Sequence, residues 1–125
     1  MLSVVPVQDK EEQKRFCELC SLEYDIRAMA YAAYSDGAFT GVVQFRIEGE
    51  AASITGDAFL PDAYDFEARF IMGRAVMNFI DLCGIENMFC DLSDERFARA
   101  LGFRPDANGR MTLNLTGFFD TPCSH

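Results

Sequence analysis

What the 125-residue sequence lacks narrows its role before any motif is read. No apolar run approaches the ~20 residues that a membrane-spanning helix needs. The opening MLSVVPVQDK has neither the basic start nor the long apolar stretch of a secretory leader. Nothing reads as a linker, a repeat or a low-complexity tract. Basic residues are scarce: 11 Lys and Arg stand against 20 Asp and Glu, for a net charge of −9. Nucleic-acid binding is dominated by basic contacts to phosphate, and anionic membrane surfaces also recruit cations. Neither is expected as a partner. The charge suits cationic partners such as amines, or simply a solvated surface kept soluble.

Disulfide spacing is missing too. Five cysteines (Cys17, Cys20, Cys83, Cys90 and Cys123) make an odd number without a framework pattern, so reduced thiols and a cytoplasmic location are expected. Cys17 and Cys20 form a CxxC that Cys123 and His125 in the tail could complete into four zinc ligands. Against this, FCELC reads as helix, where buried cysteine behaves as a small hydrophobe. The other pair sits at a fraying terminus. No metal is expected.

What is present is an ordinary globular mixture, half hydrophobic and a quarter charged. The length suits one domain spanning 1–125. Residues 2–7 read as a strand, with Pro6 favouring an edge or a strand end. Asp9 and Glu12 open a helix through Cys20. Residues 27–34, 41–47 and 51–60 read as a three-strand meander with turns at SDG and EGE. Val43, Phe45 and Ile47 alternate with Val42, Gln44 and Arg46, as in a half-buried strand. A long helix covers about 65–82 and stops at Gly84. A short strand at 87–91, a helix DERFARAL ending at Gly102, and a hairpin around DANG leading to MTLNL (111–115) complete the chain, with a further strand at 103–106. Helices between strands of a mixed, mostly antiparallel sheet make an α/β or α+β domain.

That order, with FLP (59–61) leading into GRAVMNF (73–79), ERFARALGF (95–103) and the closing strand MTLNL, resembles the GNAT superfamily of N-acetyltransferases. The resemblance implies acetyl-CoA as co-substrate, lying in a splay between two central strands. It implies transfer of an acetyl group to a primary amine of a small molecule or peptide. Backbone groups near Phe59 and Leu60 would polarise the thioester carbonyl, and Asp57 would be the base. A glycine-rich turn at the start of the long helix would cradle the pyrophosphate, since free N–H groups and the helix dipole favour an anion there.

The sequence departs from that pattern. With Gly73 in the last consensus position, Ile71 replaces the first glycine and Ala68 the Gln or Arg. Asp62, Asp65 and Glu67 approach the same helix front and oppose a phosphate. A tyrosine acting as general acid on the departing thiolate is replaced by Ala98, and Cys90 on the flanking strand is another residue near the acyl group. At about 100° per residue, Glu67, Arg74, Asn78 and Asp81 share a polar face, and Phe66, Phe70, Gly73, Met77 and Ile80 an apolar stripe. Gly73 is then either a packing contact against the sheet or a cofactor contact, and Arg74 a second basic candidate. Arg69 falls on the apolar side. It either snorkels, pairs with Asp62 or Asp65, or reaches a ligand phosphate. Asp57, on the face of Ser53, Thr55 and Phe59, is either the base or a solvent-facing strand residue. Little remains of the acceptor segment but SLEYDI, which leaves the acceptor pocket open or completed by a second copy in a homodimer. The rival reading is a GNAT-like domain that has lost CoA catalysis and serves as a binding or interaction module.

Overall fold

A computed structural model describes residues 1–119. Its elements are β1 (Leu2–Val7), α1 (Lys10–Leu19), β2 (Met29–Ser35), β3 (Ala38–Glu48), β4 (Ala51–Phe59), α2 (Phe66–Leu82), β5 (Asn87–Cys90), α3 (Glu95–Leu101), β6 (Arg104–Pro105) and β7 (Met111–Asn114). The strands form one sheet in the order β1-β2-β3-β4-β5-β7-β6. Every neighbouring pair is antiparallel except β4 and β5, which run parallel and are joined through α2. Pro6 sits on β1, which pairs only with β2, so its missing N–H disturbs no inner ladder.

Each helix starts where a carboxylate accepts a free backbone N–H. Asp9 takes Glu11, Asp65 takes Glu67 and Asp94 takes Phe97, at 3.0, 3.0 and 3.1 Å. Such a cap contributes about 1 kcal/mol. α3 ends at Gly102, whose φ of 115° few other residues adopt.

The two sheet faces carry separate cores. One, with α2 and α3, buries Phe45, Ile54, Met72, Val76, Met77, Ile80, Met88, Leu101 and Phe103. The other, under α1, buries Phe16, Cys17, Cys20, Ala30, Ala32 and Val42. β3 is therefore not half-buried as its alternation suggests. Val42 and Gln44 are as covered as Val43 and Phe45, because α1 and the chain after it close the second face.

Two further expectations are corrected here. The buried arc of α2 is Ala68, Met72, Gly73, Val76, Met77 and Ile80, and Phe66 is 48% exposed. The arc is rotated because α2 packs against α3 as well as the sheet. Gly73 accordingly faces α3 and not the sheet: a Cβ there would lie 2.9 Å from both Leu101 methyl carbons. As for the zinc reading, Cys17 and Cys20 are buried in the smaller core, while Cys123 and His125 lie outside the described residues. Among the described residues no cluster of three or more His, Cys, Asp or Glu is placed to hold a metal, and no helix is long and apolar enough to cross a membrane.

Candidate functional site

β4 and β5 pair only through Ala51–Ile54 and Asn87–Cys90, and the Asp91 amide makes a last bond to the Ile54 carbonyl at 2.9 Å. β4 then runs five residues further, to Phe59, with no strand among the described residues on that side. The front of α2 and the front of α3 face this splay. Between them lies a groove of about 320 Å3 whose lining includes Tyr64, Phe66, Arg69, Asp94, Arg96 and Phe97.

A bulge decides which side chains reach it. Gln44 pairs with Gly56 but Phe45 with Ile54, so Thr55 is an extra residue in β4. One inserted residue reverses the in–out alternation beyond it. Asp57, opposite Val43, therefore shares the α2 face with Ile54 and Phe59, whereas Ser53, opposite Arg46, faces the other way. Unbroken alternation would have grouped Asp57 with Ser53.

Asp57 thus meets Arg69. The guanidinium donates through Nε and Nη2 to both carboxylate oxygens, at 2.6 and 3.1 Å. Its remaining nitrogen donates to Asp94 at 2.9 Å. The Arg69 and Asp57 side chains are only 11% and 9% exposed, while Asp94 is 46% exposed. The Phe97 ring lies 3.9 Å under the guanidinium carbon, and the Tyr64 hydroxyl is beside it. Burial works against the charge on Arg69, but the bonds to Asp57 and Asp94 outweigh it and hold its pKa above the ordinary arginine value. The Phe97 amide, then Arg69, hold the Asp94 carboxyl below the usual aspartate range. The partners of Arg69 are therefore Asp57 and Asp94. Asp65 is engaged as the α2 cap, and Asp62 sits in a left-handed turn with φ 64°.

The other candidates separate. The Leu60 amide donates to the Thr40 carbonyl of β3 at 2.9 Å. Strand amides alternate sides, so the amide of Phe59 points to the side that β5 has left. Arg74 lies among the Phe70, Phe118 and Phe119 rings, at 5.7, 5.2 and 5.3 Å, with its Nε buried and unpaired. Ala98 is fully buried. Cys90 is buried at the apex of the splay, and burial pushes its thiol up to about 11, so it stays protonated near neutrality.

On the opposite face, residues 20–28 form no helix, yet they are held down. Gln13 and Gln44, both buried, share a bond of 2.9 Å; Gln44 also takes the Asp25 amide and donates to the Glu23 carbonyl. Asp25 pairs with Arg46 at 2.5 Å, and Leu22 covers Gly56 of β4. Sequence reasoning missed Asp94, Tyr64 and Arg96 as parts of the site. Asp94 lies 25 residues from Arg69 and looks only like a helix cap.

Spermidine/spermine N-acetyltransferase SpeG from Vibrio cholerae superposes with a TM-score of 0.71 at 10% identity, covering 96% of this chain and 98% of that one. A GNAT family acetyltransferase from Brucella melitensis, in complex with acetyl-CoA, gives 0.67 at 16% identity over 91% and 88%. The ribosomal-protein-S18-alanine N-acetyltransferase from Escherichia coli gives 0.65 at 11% identity over 90% and 89%. The chain has the GNAT N-acetyltransferase fold. No protein-family model and no curated protein sequence matches it.

Beside the splay, the groove is lined by two arginines, Arg69 and Arg96, and three aromatic rings, Tyr64, Phe66 and Phe97. The α2 front is capped by its own Asp65, and Gly73 is packed against Leu101.

Proposed function

We propose that this chain is an acyl-CoA-dependent N-acetyltransferase that transfers an acetyl group to a primary amine of a small molecule or peptide. The divergence of β4 from β5 at the head of the groove carries the reading. Acetyl-CoA, when bound, supplies the activated thioester. Arg69 and Arg96 would hold its phosphates by charge-assisted hydrogen bonds, and Tyr64 and Phe97 would pack against its base. The Phe59 amide would polarise the thioester carbonyl. Asp57 is suited to take a proton from the acceptor ammonium once its oxygens are released, so that the free amine attacks the thioester carbonyl, the C–S bond breaks and the departing CoA thiolate takes a proton from solvent. Leu60, Gly73 and Arg74 are given no cofactor contact in this reading, being bonded to Thr40, packed on Leu101 and set among phenyl rings respectively. The net charge of −9 favours a cationic acceptor, and two of the neighbours are named for spermidine or spermine and for a protein alanine.

The test is calorimetry with acetyl-CoA at two salt concentrations, followed by acetylation of polyamines, lysine and short peptides. Because carboxylates crowd the α2 front, affinity is expected to be no tighter than roughly 100 μM, and weaker at low salt, where their repulsion is less screened. At 1 mM ligand such a site stabilises the fold by about 1.4 kcal/mol. Absence of transfer to every amine tried sinks the enzyme reading.

A second reading is a GNAT-fold binding module without catalysis. It is favoured by the Asp57 oxygens being spent on Arg69 and by Ala98 standing where a general acid is expected. Its mark is the absence of measurable acetyl-CoA binding at 1 mM.

A further inference from the structure

Arg69 is the point at which three elements meet across the splay. It starts from α2, binds Asp57 of β4 through two nitrogens, and binds Asp94 at the front of α3 through the third. The guanidinium has five N–H donors and no acceptor; three of them are held by the two carboxylates, and the Tyr64 hydroxyl and the Phe97 ring lie beside it. Asp57 is equally committed, because each of its oxygens accepts from Arg69. The groove thus contains a cation that could hold a phosphate and a carboxylate that could take a proton, each cancelling the other.

We propose that the Asp57–Arg69–Asp94 clamp is a latch on the cofactor groove, released when an anionic group of the ligand draws Arg69 away from the two carboxylates. The inference rests on the acyl-CoA reading and adds an order of events to it. Arg69 takes one lone pair on each Asp57 oxygen, and those two are freed for the acceptor ammonium only after the phosphates have claimed the arginine. Asp94 is the adjustable part. It holds Arg69 by one bond from an exposed position, whereas Asp57 holds it by two from a nearly buried one. Asp94 is thus a positioning residue that acts on the site through Arg69.

The experiment is a double-mutant cycle on Asp94 and Arg69, read by calorimetry with acetyl-CoA. Asp94→Asn removes the charge but keeps an oxygen able to cap α3, since asparagine and aspartate cap equally well. Melting curves of each variant establish that it is folded. With Arg69 present, Asp94→Asn is expected to tighten acetyl-CoA about five-fold, the effect of weakening one partly exposed ion pair. In the Arg69→Ala background the same change is expected to gain less than two-fold. Equal gains in both backgrounds would mean simple loss of a repelling charge and would overturn the latch, as would no gain or no binding in any variant. Acetylation assays on the same proteins separate the two claims. Coupled binding without amine acetylation leaves the latch and removes the enzyme, whereas uncoupled binding with acetylation does the reverse.

Discussion

The front of α2 and its middle belong to one helix but are held by different forces. Residues 65–70 present a cap, an ion-pair clamp and two stacked rings, with Phe66 and Phe70 at 6.2 Å and Phe66 half exposed. Residues 72–80 present Met72, Gly73, Val76, Met77 and Ile80, all buried, with Gly73 seated against Leu101. Its two arginines repeat the contrast: Arg69 is bound by carboxylates, Arg74 by phenyl rings. Directional, charged contacts can exchange one partner for another at small cost. Close packing cannot, because every displaced atom leaves a void or a collision. The front is therefore the adjustable part of α2 and the middle the part that fixes it on α3.

The largest effect should come from the middle. Gly73→Val drives a branched side chain into Leu101 and is expected to cost about 3 kcal/mol, read as a lowered Tm. Combining Gly73→Ala with Leu101→Ala should restore part of what Leu101→Ala alone loses, because the new methyl enters the space vacated. If the two changes are additive, the packing contact is not what fixes α2 on α3.

Next comes the front. Arg69→Ala leaves Asp57 nearly buried without a partner and should cost about 2 kcal/mol, below the 3–5 kcal/mol of a fully buried pair. Adding Asp57→Asn to Arg69→Ala should recover some of it. Acetyl-CoA affinity should fall several-fold in Arg69→Ala, and an unchanged affinity would reduce the arginine to a structural role.

Arg74 should behave differently. Arg74→Met keeps the volume, removes an unpaired buried Nε–H and gives up only cation–π contacts, so stability should change by less than about 1 kcal/mol. Acetyl-CoA affinity should be unaffected. A loss of affinity comparable to that of Arg69→Ala would erase the distinction between the two arginines.

The smallest effect is in acid. The Asp94 carboxyl is held below its ordinary range by the Phe97 amide and then Arg69. A depressed folded pKa means stability that is complete above the unfolded value and is lost as pH falls through the folded one. Urea midpoints should therefore decline below about pH 4, and less steeply in Asp94→Asn. Asp25, held low first by Arg46, adds to the same decline, so the two variants Asp94→Asn and Asp25→Asn should each flatten it in part.

The element order was readable along the chain because its signals are local. Caps at Asp9, Asp65 and Asp94, stops at Gly84 and Gly102, and turn glycines at Gly37 and Gly49 each act on neighbouring backbone. The resemblance to the GNAT pattern rested on that order, and the fold agrees with it. Of the site, the sequence singled out Arg69 as a charge on an apolar face and Asp57 as a strand carboxylate, but did not join them. Alternation mis-grouped Asp57 because Thr55 is bulged, and the one local hint, Gly56 beside it inside the strand, does not say which residue is extra. Helix phase likewise misjudged Phe66, because α3 shares the surface of α2 with the sheet. Local backbone chemistry is written in adjacent residues. The meeting of Asp57, Arg69 and Asp94 depends on how three elements pack, and packing is decided by contacts that no one segment contains.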